Sequence, residues 1–524
     1  MTRSVFAVLR SERRLPALLL AFACTFAFFL ERPAWNQNSR LALTRAVVER
    51  GALSIDDSHH TTGDKSFRDG SHYSDKAPGA SFLAAPAYAA FAGMRRAMDL
   101  SMPEVTVAPL DPLDGFTGRV PSLDALKPGD TLSYNPAHHI ALSICALASS
   151  GLLTLLGLLA LYVAAVYLAD ERVPGRTSAT GSRAADEDAW RPSADARRLG
   201  ILACIIYGLC TPALAYAGAF YGHQPSAGAL FFAWVVVQFS RGGPRWAAPL
   251  AVGSSCGLAV VCEYPSVVPV VLLLAYAAWL RGPRFMIAAG LAGIPWAAAL
   301  AAYHTAAFGH PFSLGYDHLV RSEFADGMAV QYGIGWPKFD ALWAITFGNS
   351  RGLFYASPVL LVCAYGCVAA IRHRPRDERP LWCFVTTTCA YYLCLNAGYY
   401  MWNGGAAFGP RHCLPMIPFL VCGFVHVARR MPGVVLALAS LSLLHSIAGA
   451  SAGPELPEYD DPIWGHAIPS ISRAGLGAAY DSPQTLGNLL GLQGWFGLLP
   501  LAALWILLAP WRPPALSTRE KVPE

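Results

Sequence analysis

Charge is scarce in this chain of 524 residues: 14% are charged, against roughly 25% in a soluble globular protein. With 54% hydrophobic residues in apolar runs that recur along the whole length, that deficit excludes a soluble domain with a single anchor. No clustered basic face is present, so the formal charge of +5 fits basic cytoplasmic loops and not a nucleic-acid surface. The thirteen cysteines supply no framework. Cys24, Cys145, Cys204, Cys256, Cys363, Cys389 and Cys422 lie inside apolar runs, where a thiol acts as a small hydrophobe, and no metal-ligand spacing occurs. Walker, dinucleotide and His-Glu-x-x-His motifs are missing, so no soluble nucleotide site is encoded.

What is present is a series of apolar segments near the length of about 20 residues that a membrane crossing needs. They fall at 15–31, 138–168, 199–219, 226–240, 246–262, 265–280, 285–304, 353–371, 381–398, 413–428, 433–451 and 494–511. Arg3, Arg10, Arg13 and Arg14 precede the first, and no small-residue cleavage site follows it, so an uncleaved span with its N-terminus inside is expected. The connections 169–198, 241–245, 281–284, 372–380 and 429–432 then fall inside, and each carries arginine. Residues 79–95 are apolar but short. Counting them as a span would put the arginine-rich 169–198 outside, so a juxtamembrane or re-entrant helix on the outer side is expected.

The predicted fold class is therefore an all-α polytopic membrane protein. About twelve transmembrane helices carry juxtamembrane helices and loops on the outer face, where polar segments collect at 32–137, 305–352, 399–412 and 452–493. The division expected is 1–452 as the main membrane domain and 453–524 as an outer loop, last span and tail. Segment 169–198 reads as a flexible cytoplasmic linker.

Candidate chemistry lies in these outer segments. In the first, Asn36-Gln37-Asn38 leads into an amphipathic stretch, 41–48, suited to lying along the membrane surface. Asp56, Asp57, Asp64 and then Asp75-Lys76 follow. A carboxylate can act as a general base and an ammonium can stabilise a leaving phosphate, although adjacent side chains usually diverge and a solvated surface pair is the plain alternative. His223 stands in a tight turn between two spans, as a base or as an interfacial histidine. Glu263, in a similar turn, can simply reach water. Arg351 follows Asn349-Ser350 as the chain re-enters the membrane; it is a phosphate ligand or a snorkelling anchor. The densest segment is Tyr399-Tyr400-Met401-Trp402-Asn403-Gly404-Gly405 with Phe408-Gly409-Pro410-Arg411. Its aromatics can stack on sugar faces and Arg411 adds a phosphate-suited cation, although an interfacial aromatic belt has similar composition.

Tyr73-Ser74-Asp75-Lys76-Ala77-Pro78-Gly79, Asn349-Ser350-Arg351-Gly352-Leu353-Phe354 and Trp402-Asn403-Gly404-Gly405 with Phe408-Gly409-Pro410-Arg411 resemble the polytopic GT-C glycosyltransferases. The resemblance is to the protein O-mannosyltransferase and lipid A aminoarabinose transferase branch. It implies inverting transfer of a sugar from a polyprenyl-phosphate carrier to a glycan, lipid or protein acceptor at the outer face of a bacterial inner membrane. The implied donor-phosphate ligands are Lys76, Arg351 and Arg411, and the implied catalytic groups are Asp75, Asp56, Asp57 and His223. Asn36, Asn38, Tyr73, Tyr400, Trp402 and Asn403 are the implied substrate contacts. The lipid-linked donor is the sole small-molecule requirement expected, with no metal assigned and dependence on a divalent ion left open. One departure stands out: the family places acidic residues just after the first span, where this chain has the amides Asn36-Gln37-Asn38. The rival readings are an O-antigen-type polymerase or ligase using lipid-diphosphate glycans and a transporter of lipid-linked saccharides.

Overall fold

Apolar helices make up almost all of the regular structure in the computed structural model. It describes residues 8–98, 136–170, 191–240, 244–474 and 485–508, with the backbone of two short strands at Thr106–Pro109 and Asp130–Ser133. Among the described residues, strands are confined to two antiparallel hairpins. Most of the linker expected at 169–198 lies outside the described residues. Its flanks are tied, because the buried Asp170 carboxylate accepts from the Ser193 amide at 2.8 Å.

Among the described residues, four helices are long and apolar enough to cross a membrane: Ala137–Ala169, Tyr264–Arg281, Pro283–Phe308 and Pro432–Ala452. Shorter apolar helices include Leu15–Phe28, Ala247–Cys262 and Val359–His373. The most apolar window of Pro283–Phe308 is only 6% buried by protein, and Ile287, Leu291 and Ile294 are exposed on it. An apolar surface of this extent needs lipid around it, so the chain is an integral membrane protein. The helix Ala137–Ala169 is instead mostly enclosed, packed between Ala194–Leu209 and His223–Phe239. The helix Leu499–Leu508 returns to the first one: the Trp505 indole donates to Thr25 at 2.9 Å and meets Phe22 edge-on.

Among the described residues, not every expected span is one continuous helix. Pro212 divides 199–219 into Ala194–Leu209 and the short Ala213–Ala217, and 413–428 is broken near Pro415 and Pro418 and again at Cys422-Gly423. A proline removes an amide donor and clashes with the preceding turn, which accounts for the breaks at Pro212 and at Pro415 and Pro418.

The segment after the first helix also differs from its expected place on the membrane surface. The helix Trp35–Arg45 is buried from Asn36 to Thr44, with Gly79–Ala97, Pro136–Ala146 and the hairpin Lys65–Arg68/Ser71–Ser74 packed around it. Part of its polar face is satisfied internally. Ser39 bonds Ser74 at 2.8 Å, and Asn38 donates to the Thr61 carbonyl at 2.9 Å and pairs with His138 at 3.0 Å. Arg40 reaches the Ala77 carbonyl at 2.9 Å. Buried polar groups with partners are tolerated where orphaned ones are not.

Candidate active site

The hairpin sets the centre of the site. Asp69 and Gly70 both have positive φ (50° and 83°) and join strands in which Arg68 pairs with Ser71 and Lys65 with Ser74. This is a two-residue turn of the kind Asp-Gly favours. The ladder's open end therefore holds Asp64 opposite Asp75, and Lys76 is the next residue. Its ammonium lies 3.0 Å from Asp64 Oδ2 and 3.2 Å from Asp75 Oδ2. Gly79 then starts the following helix so close to the end of Ala247–Cys262 that a Cβ would stand 2.7 Å from backbone atoms of Val261 and Cys262. That approach brings the hairpin's end beside Glu263.

Asp64, Asp75 and Lys76 line a cavity of about 1220 Å³. Asn36, Gln37 and Arg40 face it from the buried helix, His223 and Glu263 from the helix ends, and Arg411, His412 and Glu455 from the later segments. Tyr264, Tyr316, Tyr399 and Tyr400 supply aromatic wall. Residues 315–335 close one side. Ser66 donates to the Gly315 carbonyl at 2.7 Å, the Val320 amide to Lys65 at 3.2 Å, and the Tyr400 amide to Gly333 at 2.8 Å. Val267 and Val268 are on the cavity wall and exposed, on a helix whose Val271 is exposed as well, so the cavity borders apolar surface there.

Burial governs the charges. It pushes the Asp75 carboxyl up to about 6, with the Lys76 ammonium opposing and Asp64 adding. Burial also disfavours the charge on Lys76, but Asp64 and Asp75 outweigh it and raise the ammonium above its ordinary value. Glu455 accepts from the Tyr221 hydroxyl at 2.5 Å; burial still pushes it up to about 7, against that bond and Arg411. Burial alone would raise Glu263, but His223, Arg40 and Arg411 reverse this and hold it below the usual glutamate value.

A stability consequence follows with a definite sign. Asp75 and Glu455 bind protons more tightly folded than unfolded, so their contribution is complete below the ordinary carboxylate range and is lost as pH rises through about 6 and about 7. Thermal unfolding of the purified protein should show a midpoint that falls between about pH 5 and about pH 8. Glu455→Gln should flatten the upper part of that fall. A wild-type midpoint that climbs across the window contradicts these environments.

The structure gathers some of the sequence-predicted residues and separates others. Asp75, Lys76, His223, Arg411, Asn36 and Tyr400 all line the cavity. Asp56 lies elsewhere, paired with His72 at 3.2 Å, and the exposed Asp57 pairs with Arg50 at 3.1 Å. Asn38 is held by Thr61 and His138, and Tyr73 packs against Phe308 with ring centroids 5.8 Å apart. The Trp402 carbonyl accepts from Asn396, and the Asn403 side chain from the Gly405 amide. None of these six is on the cavity wall. Arg351 is 1% exposed and also absent from the wall. Its guanidinium donates to the carbonyls of Asn403, Ser350, Gly405 and Leu456 at 2.7–3.4 Å, which makes it a clamp on the 403–405 turn.

Three groups on the wall carried little signal. Arg40 is hidden in an amphipathic pattern, Tyr316 in a polar loop, and Glu455 follows the apolar run 433–451 within Gly453-Pro454-Glu455. Glu263 could have been weighted more heavily, since a carboxylate between two apolar runs is costly unless it is used.

Fold and cavity together define a polytopic helical membrane protein with a charge-lined cavity enclosed by helix ends and loops. No protein-family model and no curated protein matches the sequence. Among solved structures, the chain is similar to the crystal structure of ArnT from Cupriavidus metallidurans bound to undecaprenyl phosphate. The identity is 14% and the TM-score 0.43, with 95% of this chain and 72% of that chain covered.

Proposed function

We propose that this protein is a membrane glycosyltransferase that moves a sugar from a polyprenyl-monophosphate donor to an acceptor at the outer face. The observation that carries this reading is the Lys76 ammonium, fixed between Asp64 and Asp75 on the wall of a cavity that also borders apolar surface. A lipid tail can lie against Val267 and Val268 while the head group enters. The cavity exceeds the usual range of about 300–1,000 Å³ for small-ligand sites, which leaves room for a sugar phosphate and an acceptor together.

The cavity wall carries Arg32, Arg40, Lys76, Arg321, Arg411 and Arg473 against Asp64, Asp75, Glu263, Glu455 and Glu458. With all of them ionised the wall has an excess of one positive charge, which suits a phosphate anion. During transfer the acceptor oxygen attacks the anomeric carbon, the carbon–oxygen bond to phosphate breaks, and the departing phosphate gains a second negative charge. Fixed cations stabilise that gain more than they stabilise the ground state.

The test is release of labelled sugar by the purified full chain from undecaprenyl-monophosphate hexose and aminopentose donors, beside an undecaprenyl-diphosphate oligosaccharide. Turnover of a monophosphate donor is expected. Turnover of the diphosphate alone, or of neither with the protein folded, contradicts the reading and favours the polymerase or the transporter respectively.

A further inference from the structure

The cavity wall holds a second constellation. His223 begins the helix His223–Phe239, and its Nδ1 lies 2.9 Å from Glu263 Oε1. Gly222 makes that distance possible: a Cβ there would stand 2.3 Å from the Cys262 carbonyl and 3.1 Å from Glu263 Oε1. Only a residue without a side chain lets the two helix ends meet so closely. Aromatic rings and arginines flank the pair. The Tyr221 ring stacks against His223, and His412 meets it edge-on with centroids 4.9 Å apart. Arg40 and Arg411 face Glu263. Both His223 and Glu263 line the cavity.

A carboxylate on Nδ1 fixes the imidazole's orientation and places the neutral ring's proton on that nitrogen, so the other nitrogen is left as the acceptor. His223 Nε2 has no hydrogen-bond partner among the described residues. The carboxylates at the hairpin's end are occupied differently. Asp64 and Asp75 each give one oxygen to Lys76, and the other Asp75 oxygen is buried without a partner. Gln37, on the same wall, is an amide and accepts no proton at neutral pH.

We infer that His223, held by Glu263, is the general base that takes the proton of the acceptor hydroxyl, an inference that rests on the glycosyltransferase reading above. The acceptor O–H bond breaks toward Nε2 as its oxygen pair forms the bond to the anomeric carbon. The pair of the breaking carbon–oxygen bond goes to the phosphate. The products are the glycosylated acceptor, polyprenyl phosphate with one more negative charge, and an imidazolium that Glu263 stabilises. Asp64 and Asp75 then serve as positioning residues for Lys76.

The experiment uses the purified full chain with undecaprenyl-monophosphate hexose and aminopentose donors, water as acceptor, and undecaprenyl phosphate as the binding probe. His223→Gln is expected to lower sugar release about 10²–10⁴-fold while undecaprenyl phosphate binds as in the wild type. Glu263→Gln is expected to lower the rate less. Loss of its anion disfavours the imidazolium, so the acid limb of its pH–rate profile moves to lower pH, a change that a purely structural role would not produce. Wild-type turnover with an undiminished His223→Gln rate overturns the base assignment and leaves the glycosyltransferase reading standing. An unmoved acid limb in Glu263→Gln overturns the dyad. A folded wild type that releases no sugar from any of these donors overturns both.

Discussion

Lys76→Ala is expected to reduce sugar release by at least about 10²–10³-fold, the cost of losing one fixed donor to a developing charge. From sequence, this change is expected to leave folding intact; the structure adds a stability penalty. Asp75 is buried and Asp64 nearly so, and breaking a buried ion pair by removing one partner costs about 3–5 kcal/mol. The informative companion is therefore Asp75→Asn/Lys76→Gln, which removes one charge of each sign. It should unfold closer to the wild-type temperature than Lys76→Ala and still fail to release sugar. A double variant that folds and turns over at the wild-type rate removes Lys76 from the chemistry.

Arg351→Ala is the second large effect, and it separates two roles. As a clamp, Arg351 satisfies carbonyls at four positions, 350, 403, 405 and 456. Each buried acceptor left bare costs about 1–3 kcal/mol, so the variant should lose on the order of 5 kcal/mol of stability. Arg351→Lys should rescue little, because an ammonium cannot reproduce the planar fork. Thermal unfolding decides the matter. If Arg351→Ala keeps its unfolding temperature but loses undecaprenyl phosphate binding, Arg351 is a phosphate ligand and the clamp is wrong.

Several parts of this arrangement were legible from the chain alone. The apolar runs mark the membrane helices because lipid selects for them continuously, and Asp75-Lys76 is conspicuous as adjacent opposite charges after a long polar loop. The partnership of Lys76 with Asp64 was less so. It depends on Asp69-Gly70 reversing the chain, a signal present in the sequence but short beside the surrounding polar residues. Arg351 illustrates the opposite error. An arginine where the chain re-enters the membrane suggests a head-group contact, yet whether it points outward is decided by carbonyls at 403, 405 and 456, which no local pattern announces. The helix Trp35–Arg45 looked surface-bound because its polar face is real. That face is covered by the hairpin and by helices from 79–97 and 136–146, and long-range covering of that kind leaves no periodicity. Glu455 enters the cavity from nearly four hundred residues beyond Asp64, so only the folded chain connects them.

Saturable binding of undecaprenyl phosphate to the purified protein, measured by native mass spectrometry beside undecaprenol and undecaprenyl diphosphate, addresses the role of the cavity without requiring the sugar or acceptor to be known. The monophosphate should bind most tightly, and folded Arg411→Ala and Asp75→Asn/Lys76→Gln should lose that preference. Equal binding of undecaprenol, or a monophosphate preference that survives in both variants, would contradict a phosphate site built on Lys76 and Arg411.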